Sequence, residues 1–191
     1  MTPKLLSILI PSLAKRTDFL NRLLCLLDHQ LTEAVEVLVN IDNGASKIGE
    51  KRNALLRAAG GDYVCFIDDD DRVTDDYVQQ MLKGIALGVD VVSIQGILRE
   101  VGGDRGLDGT FIDKPYQPWQ TVKDDTGKIY LRGVQHLDAM KREIALSVLF
   151  EPRSFGEDSV RSKTIEQRHR NLTWHEVGKP IYVYDFCRNK A

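Results

Sequence analysis

The hydrophobic positions in the first half of the chain fall into short blocks that alternate between two periods. Leu5 to Ile10 is an apolar run of strand length, and Pro11 is expected to end it. Behind Thr17, a suitable helix cap, Leu20, Leu23, Leu24, Leu27 and Leu31 recur at helical spacing. Val35 to Ile41 reads as a second strand, closed by the turn residues Asp42-Asn43-Gly44. A polar loop, Ala45 to Gly49, leads into a helix carrying Ala54, Leu55, Ala58 and Ala59, which Gly60-Gly61 stops. Tyr63-Val64-Cys65-Phe66-Ile67 is a third strand. Thr74, with Asp75 and Asp76 behind it, suits the positive start of another helix. Gly88 closes that helix, and Val89 to Leu98 forms a fourth strand.

Strand and helix thus alternate three times before a further strand. This predicts an α/β fold, a mostly parallel sheet with crossover helices on its faces. The second half reads as less regular. Gly102 to Gly109 is glycine-rich and is expected to be a mobile loop, and Lys114 to Pro118 is a second irregular stretch. Thr121 to Lys123 and Lys128 to Leu131 suit a hairpin around Asp124-Asp125-Thr126-Gly127. Helices are expected over Leu137 to Val148 and Glu157 to Arg170, and a last strand over Ile181 to Phe186. No repeat and no low-complexity linker interrupts the chain. A single domain over 1–191 is therefore expected, with a regular half (1–101) and an irregular half (102–191).

Composition narrows the class. A chain of 191 residues, 42% apolar and 28% charged, can bury one full core. A net charge of -2 argues against an overall basic nucleic-acid binder. The three cysteines are odd in number and far apart. Cys25 and Cys65 lie in apolar runs and read as reduced core residues of a cytosolic protein, neither disulfides nor a zinc site. No apolar run is long enough for a membrane span. The run at Leu5 to Ile10 is short and lacks a small-residue cleavage site, so it reads as a strand and not as a leader. A cytoplasmic location is the resulting expectation.

The most informative feature is the row Asp68-Asp69-Asp70-Asp71 behind the third strand. Adjacent carboxylates repel, by about 4 kcal/mol per pair about 4 Å apart at an effective dielectric near 20. Such a cluster calls for a cation, and its hard oxygen donors suit Mg²⁺, Mn²⁺ or Ca²⁺. The end of a strand is also where open α/β sheets place their ligands. An EF-hand is excluded: counting from Asp68, the sixth position is Val73 and not glycine, and the twelfth is Gln79 and not glutamate. Asp69-x-Asp71-x-Val73 fits the nucleophile pattern of haloacid-dehalogenase-type phosphatases. In those proteins the motif ends the first strand, whereas here two strand–helix units precede it.

Four segments in order carry a resemblance. Ser7-Ile8-Leu9-Ile10-Pro11-Ser12, Val37 to Asp42, Gly49-Glu50-Lys51-Arg52-Asn53 and Gly61 to Asp71 together resemble family 2 of the glycosyltransferases, with the GT-A fold. Phe155-Gly156-Glu157-Asp158 is similar to that family's acceptor-side acidic pair, and His136-Leu137 and Lys141-Arg142 to a segment of its compact members. The resemblance implies a metal-dependent, inverting transfer of sugar from a nucleotide-sugar donor, a UDP-sugar first, to a hydroxyl acceptor. It further implies that Asp42 contacts the base, with Pro11 and Ser12 in the same pocket and Arg52 within reach of base or phosphate. Asp68 and Asp69 would lie near the ribose, and Asp70 would hold Mn²⁺ or Mg²⁺ on the diphosphate. Asp158 would be the general base, with Glu157 as the fallback. His175 would be a third metal ligand or a phosphate contact.

Plainer readings stand beside these roles. Asp42 also suits a turn, Glu157 and Asp158 a helix start, and Arg52 and His175 ordinary structural positions. Trp119 suits stacking on a sugar face, and Trp174 core packing. Acceptors compatible with the resemblance are a glycan, a lipid-linked precursor or another hydroxyl compound. The basic residues after position 130 would also suit an anionic acceptor, nucleic acid included. Two other functions remain open at this point: the aspartate-nucleophile phosphatase, and a non-catalytic relative that binds nucleotide sugar or glycan.

Overall fold

The computed structural model describes residues 4–103, 105–153 and 155–187. The first half follows the predicted order: β1 (Leu6–Leu13), α1 (Thr17–Asp28), β2 (Val35–Asp42), α2 (Ile48–Ala58), β3 (Tyr63–Phe66), the short β4 (Arg72–Val73), α3 (Tyr77–Ile85) and β5 (Val91–Val101). β1 pairs in parallel with both β2 and β3. Because β1 is buried on both faces, its residues divide between two cores. Leu6, Ile8 and Ile10 pack with Leu20, Leu23 and Leu27 of α1 and Met81 of α3. Leu9 packs on the other face with Leu55 and Leu56 of α2 and Phe150. Full burial of one such leucine contributes roughly 1.5–3 kcal/mol.

Pro11 does not end β1, which runs on to Leu13. The pairing with β3 stops at Leu9, so beyond it β1 has only β2 as its strand neighbour. The missing N–H of Pro11 therefore leaves no ladder partner unsatisfied. α3 begins at Tyr77, later than Thr74 suggests, and the Thr74 hydroxyl donates to Asp76 Oδ1 at 2.9 Å. Cys65 is buried, but Cys25 lies on the exposed side of α1, which corrects its assignment to the core. Both are free thiols.

The second half departs further from expectation. It is largely strand: β6 (Gly109–Asp113), β7 (Gln120–Asp124), β8 (Gly127–Arg132), β9 (Ala139–Lys141) and β10 (Trp174–Cys187), with α4 (Arg142–Ser147) and α5 (Glu157–Arg168). The β7–β8 hairpin is the predicted one. The glycine-rich stretch after β5 connects it to β6, with Asp104 outside the described residues. The helix expected from Leu137 is instead β9 followed by α4. β9 inserts antiparallel between β3 and β5, and its Ala139 and Met140 are buried on both sides. β10 starts well before Ile181 and runs parallel to β5, with register shifts between Glu176 and Tyr182 that break its alternation.

All strands join one sheet in the order β2-β1-β3-β9-β5-β6-β8-β7, with β10 on β5 and β4 on β10. Helices cover it, and its two longest pairings, β1–β2 and β5–β10, are parallel. Among the described residues no helix is long and apolar enough to cross a membrane.

Candidate active site

The C-terminal ends of β1 and β3 open into a cavity of about 840 Å³. Pro11, Ser12, Arg16, Lys51, Arg52, Asp68, Asp69, Asp70, Glu157 and Asp158 share its wall. Ten residues scattered over the sequence therefore meet where an open α/β sheet places its ligands.

The aspartates form a tight turn, in which the Asp71 N–H donates to the Asp68 carbonyl at 3.0 Å. Each carboxylate has a partner, and Asp69 and Asp70 share one. Asp68 Oδ1 lies 2.8 Å from Arg52 Nη2, and Oδ2 lies 3.6 Å from His136 Nε2. Burial works to raise the Asp68 carboxyl, but the Arg52 charge and His136 overcome it and hold the group below the usual carboxylate range. Asp69 Oδ2 accepts from the Ser12 hydroxyl at 2.6 Å, and Oδ1 lies 2.9 Å from Arg16 Nη2. Burial still pushes the Asp69 carboxyl up, helped by the charges of Asp70 and Asp68. Asp70 Oδ2 contacts the same Arg16 nitrogen. Asp71 Oδ2 accepts from the Tyr182 hydroxyl at 2.7 Å. Among the described residues, two guanidinium groups thus supply positive charge to Asp68, Asp69 and Asp70.

The fixed one is Arg52. It extends from α2 into the protein and is 4% exposed. Its Nη1 is ion-paired with Glu157, its Nη2 reaches Asp68 and lies 3.1 Å from His136 Nε2, and Phe66 and Phe150 face it at 5.8 and 5.4 Å. Its neighbour Lys51 turns toward β1 and β2, donating to the Ser12 carbonyl at 2.5 Å and pairing with Asp42. Asp42 also accepts from the N–H groups of Gly44 (2.9 Å) and Ser46 (2.8 Å), which shapes the loop after β2. The Lys51 contact holds the Asp42 carboxyl well below its usual range.

The acidic pair sits at the start of α5. Gly156 precedes it with φ +74°, a left-handed conformation that costs a side-chain-bearing residue about 1–2 kcal/mol. The turn directs two neighbouring carboxylates differently. Glu157 is buried against Arg52. Asp158 stays about a third exposed on the cavity wall, with Oδ2 3.7 Å from His136 Nδ1. His136 lies on the turn that leads into β9, held beside β3 by the Phe66 N–H, which donates to the His136 carbonyl at 2.9 Å. Burial, then the Arg52 charge, keep the His136 imidazole below its ordinary value, against the pull of Asp68 and Asp158.

The structure therefore brings together Pro11, Ser12, Arg52, Asp68, Asp69, Asp70, Glu157 and Asp158, with Asp42 attached through Lys51. It leaves out His175, in register with Val92 on β10. From β3, β10 lies beyond β9 and β5, a lateral distance of about 14 Å at normal strand spacing. His175 is thus placed away from the aspartates. Among the described residues no group of three His, Cys, Asp or Glu side chains forms a metal-ligand set. Trp119 is on the cavity wall and largely exposed, and Trp174 is exposed rather than in the core. Arg16 and Tyr184 also line the cavity, and neither stands out in the sequence as a site residue. The phosphatase reading needs Asp69 as a free nucleophile, but its two oxygens face Ser12 and Arg16.

Comparison with known proteins gives the family and the fold. The model of the family "Glycosyl transferase family 2" matches residues 29–146. No curated protein matches at the sequence level. Among solved structures, the crystal structure of S. aureus TarS 1–349 superposes with a TM-score of 0.66 at 16% identity, covering 95% of this chain and 60% of that one. The same TarS segment in complex with UDP gives 0.68 at 16% identity, with 95% and 60% covered. In complex with UDP-GlcNAc it gives 0.60 at 14% identity, with 98% and 59% covered. At these identities the likeness concerns the fold, which is the GT-A arrangement. The chain spans about 60% of the length of that TarS segment.

Proposed function

We propose, for a chain that belongs to glycosyl transferase family 2, a single inverting displacement that moves sugar from a UDP-sugar to a hydroxyl acceptor, with a divalent cation on the diphosphate. That the chain is a glycosyltransferase follows from the family; the donor, the cation and the stereochemistry are the proposal. The observation that carries it is the layout of the cavity. Its wall holds Lys51, which carries Asp42 and bonds Ser12, then Asp69 and Asp70 on Arg16, and Asp158 beside His136.

Each of these groups suits one part of the reaction. The loop shaped by Asp42, with Ser12 and Pro11, suits the uracil and ribose. TarS structures holding UDP and UDP-GlcNAc support a uridine donor. Asp69 and Asp70 both reach one nitrogen of Arg16, so two carboxylates already converge on a single positive charge. That convergence fits Mg²⁺ or Mn²⁺ held by one or two carboxylates plus substrate phosphates. A cation bound there would stabilise negative charge growing on the departing diphosphate. Asp158, open to the cavity and facing His136, takes the proton of the acceptor hydroxyl. The acceptor oxygen bonds to the anomeric carbon as the carbon–oxygen bond to UDP breaks, and UDP leaves with the electron pair. One displacement inverts the anomeric centre. Glu157, buried on Arg52, holds the donor-side arginine in place instead of taking a proton.

The test is calorimetry and a melting screen with UDP and UDP-sugars, with and without Mn²⁺, since a ligand of the native state raises its melting point. The wild type is expected to bind UDP more tightly with Mn²⁺ and to release UDP slowly from its donor. Asp158→Asn is expected to keep UDP binding and lose about 10²–10⁴-fold in transfer, the range of a general base. A protein that binds no uridine nucleotide under either condition would overturn the donor assignment. Unimpaired transfer by Asp158→Asn would overturn the base.

A further inference from the structure

The two arginines that neutralise the aspartate turn are built differently. Arg52 is enclosed by Asp68, Glu157, His136 and two aromatic rings, and cannot leave without exposing buried charge. Arg16 lies on a single turn of 3-10 helix, Ala14–Arg16, none of whose residues is buried. Its side chain is 21% exposed, whereas those of Asp69 and Asp70 are 3% and 8% exposed. The guanidinium thus covers the two carboxylates from the cavity side. The exposed Phe19 ring, 5.6 Å from its carbon, is its other neighbour. The turn beneath is anchored independently, because Arg22 Nη2 donates to the Asp70 carbonyl at 2.9 Å. If Arg16 moves, the carboxylates keep their place.

We propose that Arg16 is an exchangeable counter-ion: without donor it occupies the cation position on Asp69 and Asp70, and on donor binding it passes to the diphosphate while a divalent cation takes that position. The proposal rests on the donor reading above and adds to it a residue that touches the leaving group. The chemistry favours the exchange in one direction. A guanidinium binds phosphate oxygens in pairs as well as it binds carboxylates. A divalent cation arriving alone must displace Arg16 into water. A diphosphate arriving alone meets two carboxylates whose charge repels it once Arg16 turns away. Arriving together they satisfy every charge, so each ligand should tighten the other, and reciprocally.

The experiment measures Mn²⁺ binding by the paramagnetic resonance of the free ion, and UDP binding by calorimetry, in the wild type, Arg16→Gln and Arg16→Lys. Arg16→Gln removes the competitor, so its affinity for Mn²⁺ alone is expected to rise about tenfold, while its affinity for UDP in saturating Mn²⁺ falls about tenfold, each an ordinary coupling of roughly 1.4 kcal/mol. Arg16→Lys keeps the charge and loses the paired phosphate contact. It should match the wild type for Mn²⁺ and bind UDP severalfold more weakly, and it serves as the test if Arg16→Gln does not fold. An unchanged Mn²⁺ affinity in folded Arg16→Gln would show that Arg16 does not hold the cation position. Equal UDP affinity in Arg16→Lys and wild type would remove its role on the diphosphate. UDP binding that is indifferent to Mn²⁺ and lost in Arg16→Gln would mean that the arginine replaces the cation outright, which overturns the exchange. Absence of UDP binding by the wild type, together with tighter Mn²⁺ binding by Arg16→Gln, would overturn the donor reading while upholding the counter-ion.

Discussion

Arg52 Nη2 lies 3.1 Å from His136 Nε2, and that distance decides which ring nitrogen carries the proton. A guanidinium can only donate, so Nε2 must accept. The imidazole, held below its ordinary value by burial and by Arg52, is neutral and carries its hydrogen on Nδ1. Nδ1 is buried and makes no hydrogen bond among the described residues; it faces Asp158, 3.7 Å away. Arg52 thereby sets the tautomer of a histidine that faces the proposed base.

Replacing His136 should therefore affect the acceptor step more than donor binding. His136→Asn, which still offers an N–H, is expected to retain most of the turnover. His136→Leu should lower kcat about tenfold or more, below the full loss of a general base. The affinity for UDP, measured separately, should stay within a factor of two or so of wild type. A drop in UDP affinity that equals the drop in kcat would place His136 on the donor instead.

The same histidine gives stability a pH dependence of known sign. Its folded value lies below the unfolded one, which is about 6.5. As pH falls below about 6.5, the unfolded chain takes up a proton that the folded protein does not. Stability is then full above that pH and declines as pH drops toward the folded value, by at most about 1.4 kcal/mol per pH unit. Urea titrations between pH 7.5 and about 5 should show this slope in the wild type and a shallower one in His136→Leu. Equal slopes would mean that His136 is charged in the folded protein.

The buried pair Arg52–Glu157 should show an asymmetry between its partners. Arg52→Ala leaves both Glu157 and Asp68 without their cation, and a cost of about 3–5 kcal/mol is expected. Glu157→Gln keeps a hydrogen-bond acceptor, and Arg52 still has Asp68, so about 1–3 kcal/mol is expected. Urea unfolding of both variants checks the order. Glu157→Gln should also keep measurable transfer, since the base is Asp158. Complete loss of turnover in a folded Glu157→Gln would return the base role to Glu157.

The parts of the site that were legible in the sequence are those whose chemistry is local. The aspartates behind an apolar strand, the turn at Asp42 and the acidic start of α5 each declare themselves within a few residues. What stayed hidden depends on distant pairing. Arg16 is an ordinary exposed-looking arginine until Asp69 and Asp70 are placed beside it, and Arg52, named through the resemblance, meets its partners Asp68 and Glu157 only in the fold. His136 reaches Asp68 only because β9 slots between β3 and β5, and Ala139 to Ser147 carry a pattern that reads as one helix. His175 failed for the same reason in reverse. It precedes Ile181, where the sequence places the strand, but β10 already runs through it, and the part of β10 that reaches the aspartates is Tyr182 to Tyr184, further along the strand. The helix start Gly49 to Asn53 lies between these cases: its residue types were visible, but its physical purpose was not.

That purpose is a clamp. Gly49 and Asn53 are one helical turn apart and face the same way. A Cβ at residue 49 would overlap the Glu151 carbonyl oxygen, and the Gly49 N–H donates to the Arg153 carbonyl at 3.3 Å. The Asn53 amide donates to the Phe150 carbonyl at 2.8 Å, and its oxygen accepts from the Phe150 N–H at 2.9 Å. α2 thus grips the segment 150–153 just ahead of Glu157 and Asp158, while Lys51 and Arg52 on the same turn reach the donor end. Gly49→Ala must push that segment away and is expected to cost about 1–3 kcal/mol. Asn53→Asp loses its donor to Phe150 and buries a charge, with a similar expectation. In both, the displaced acidic pair should lower transfer by tenfold or more while UDP affinity changes less, because misplacement of a reacting group by about 1 Å is enough for a large loss. Calorimetry for UDP beside a turnover assay checks the split. Equal losses in both measurements would show that the clamp supports the donor end as much as the acceptor end.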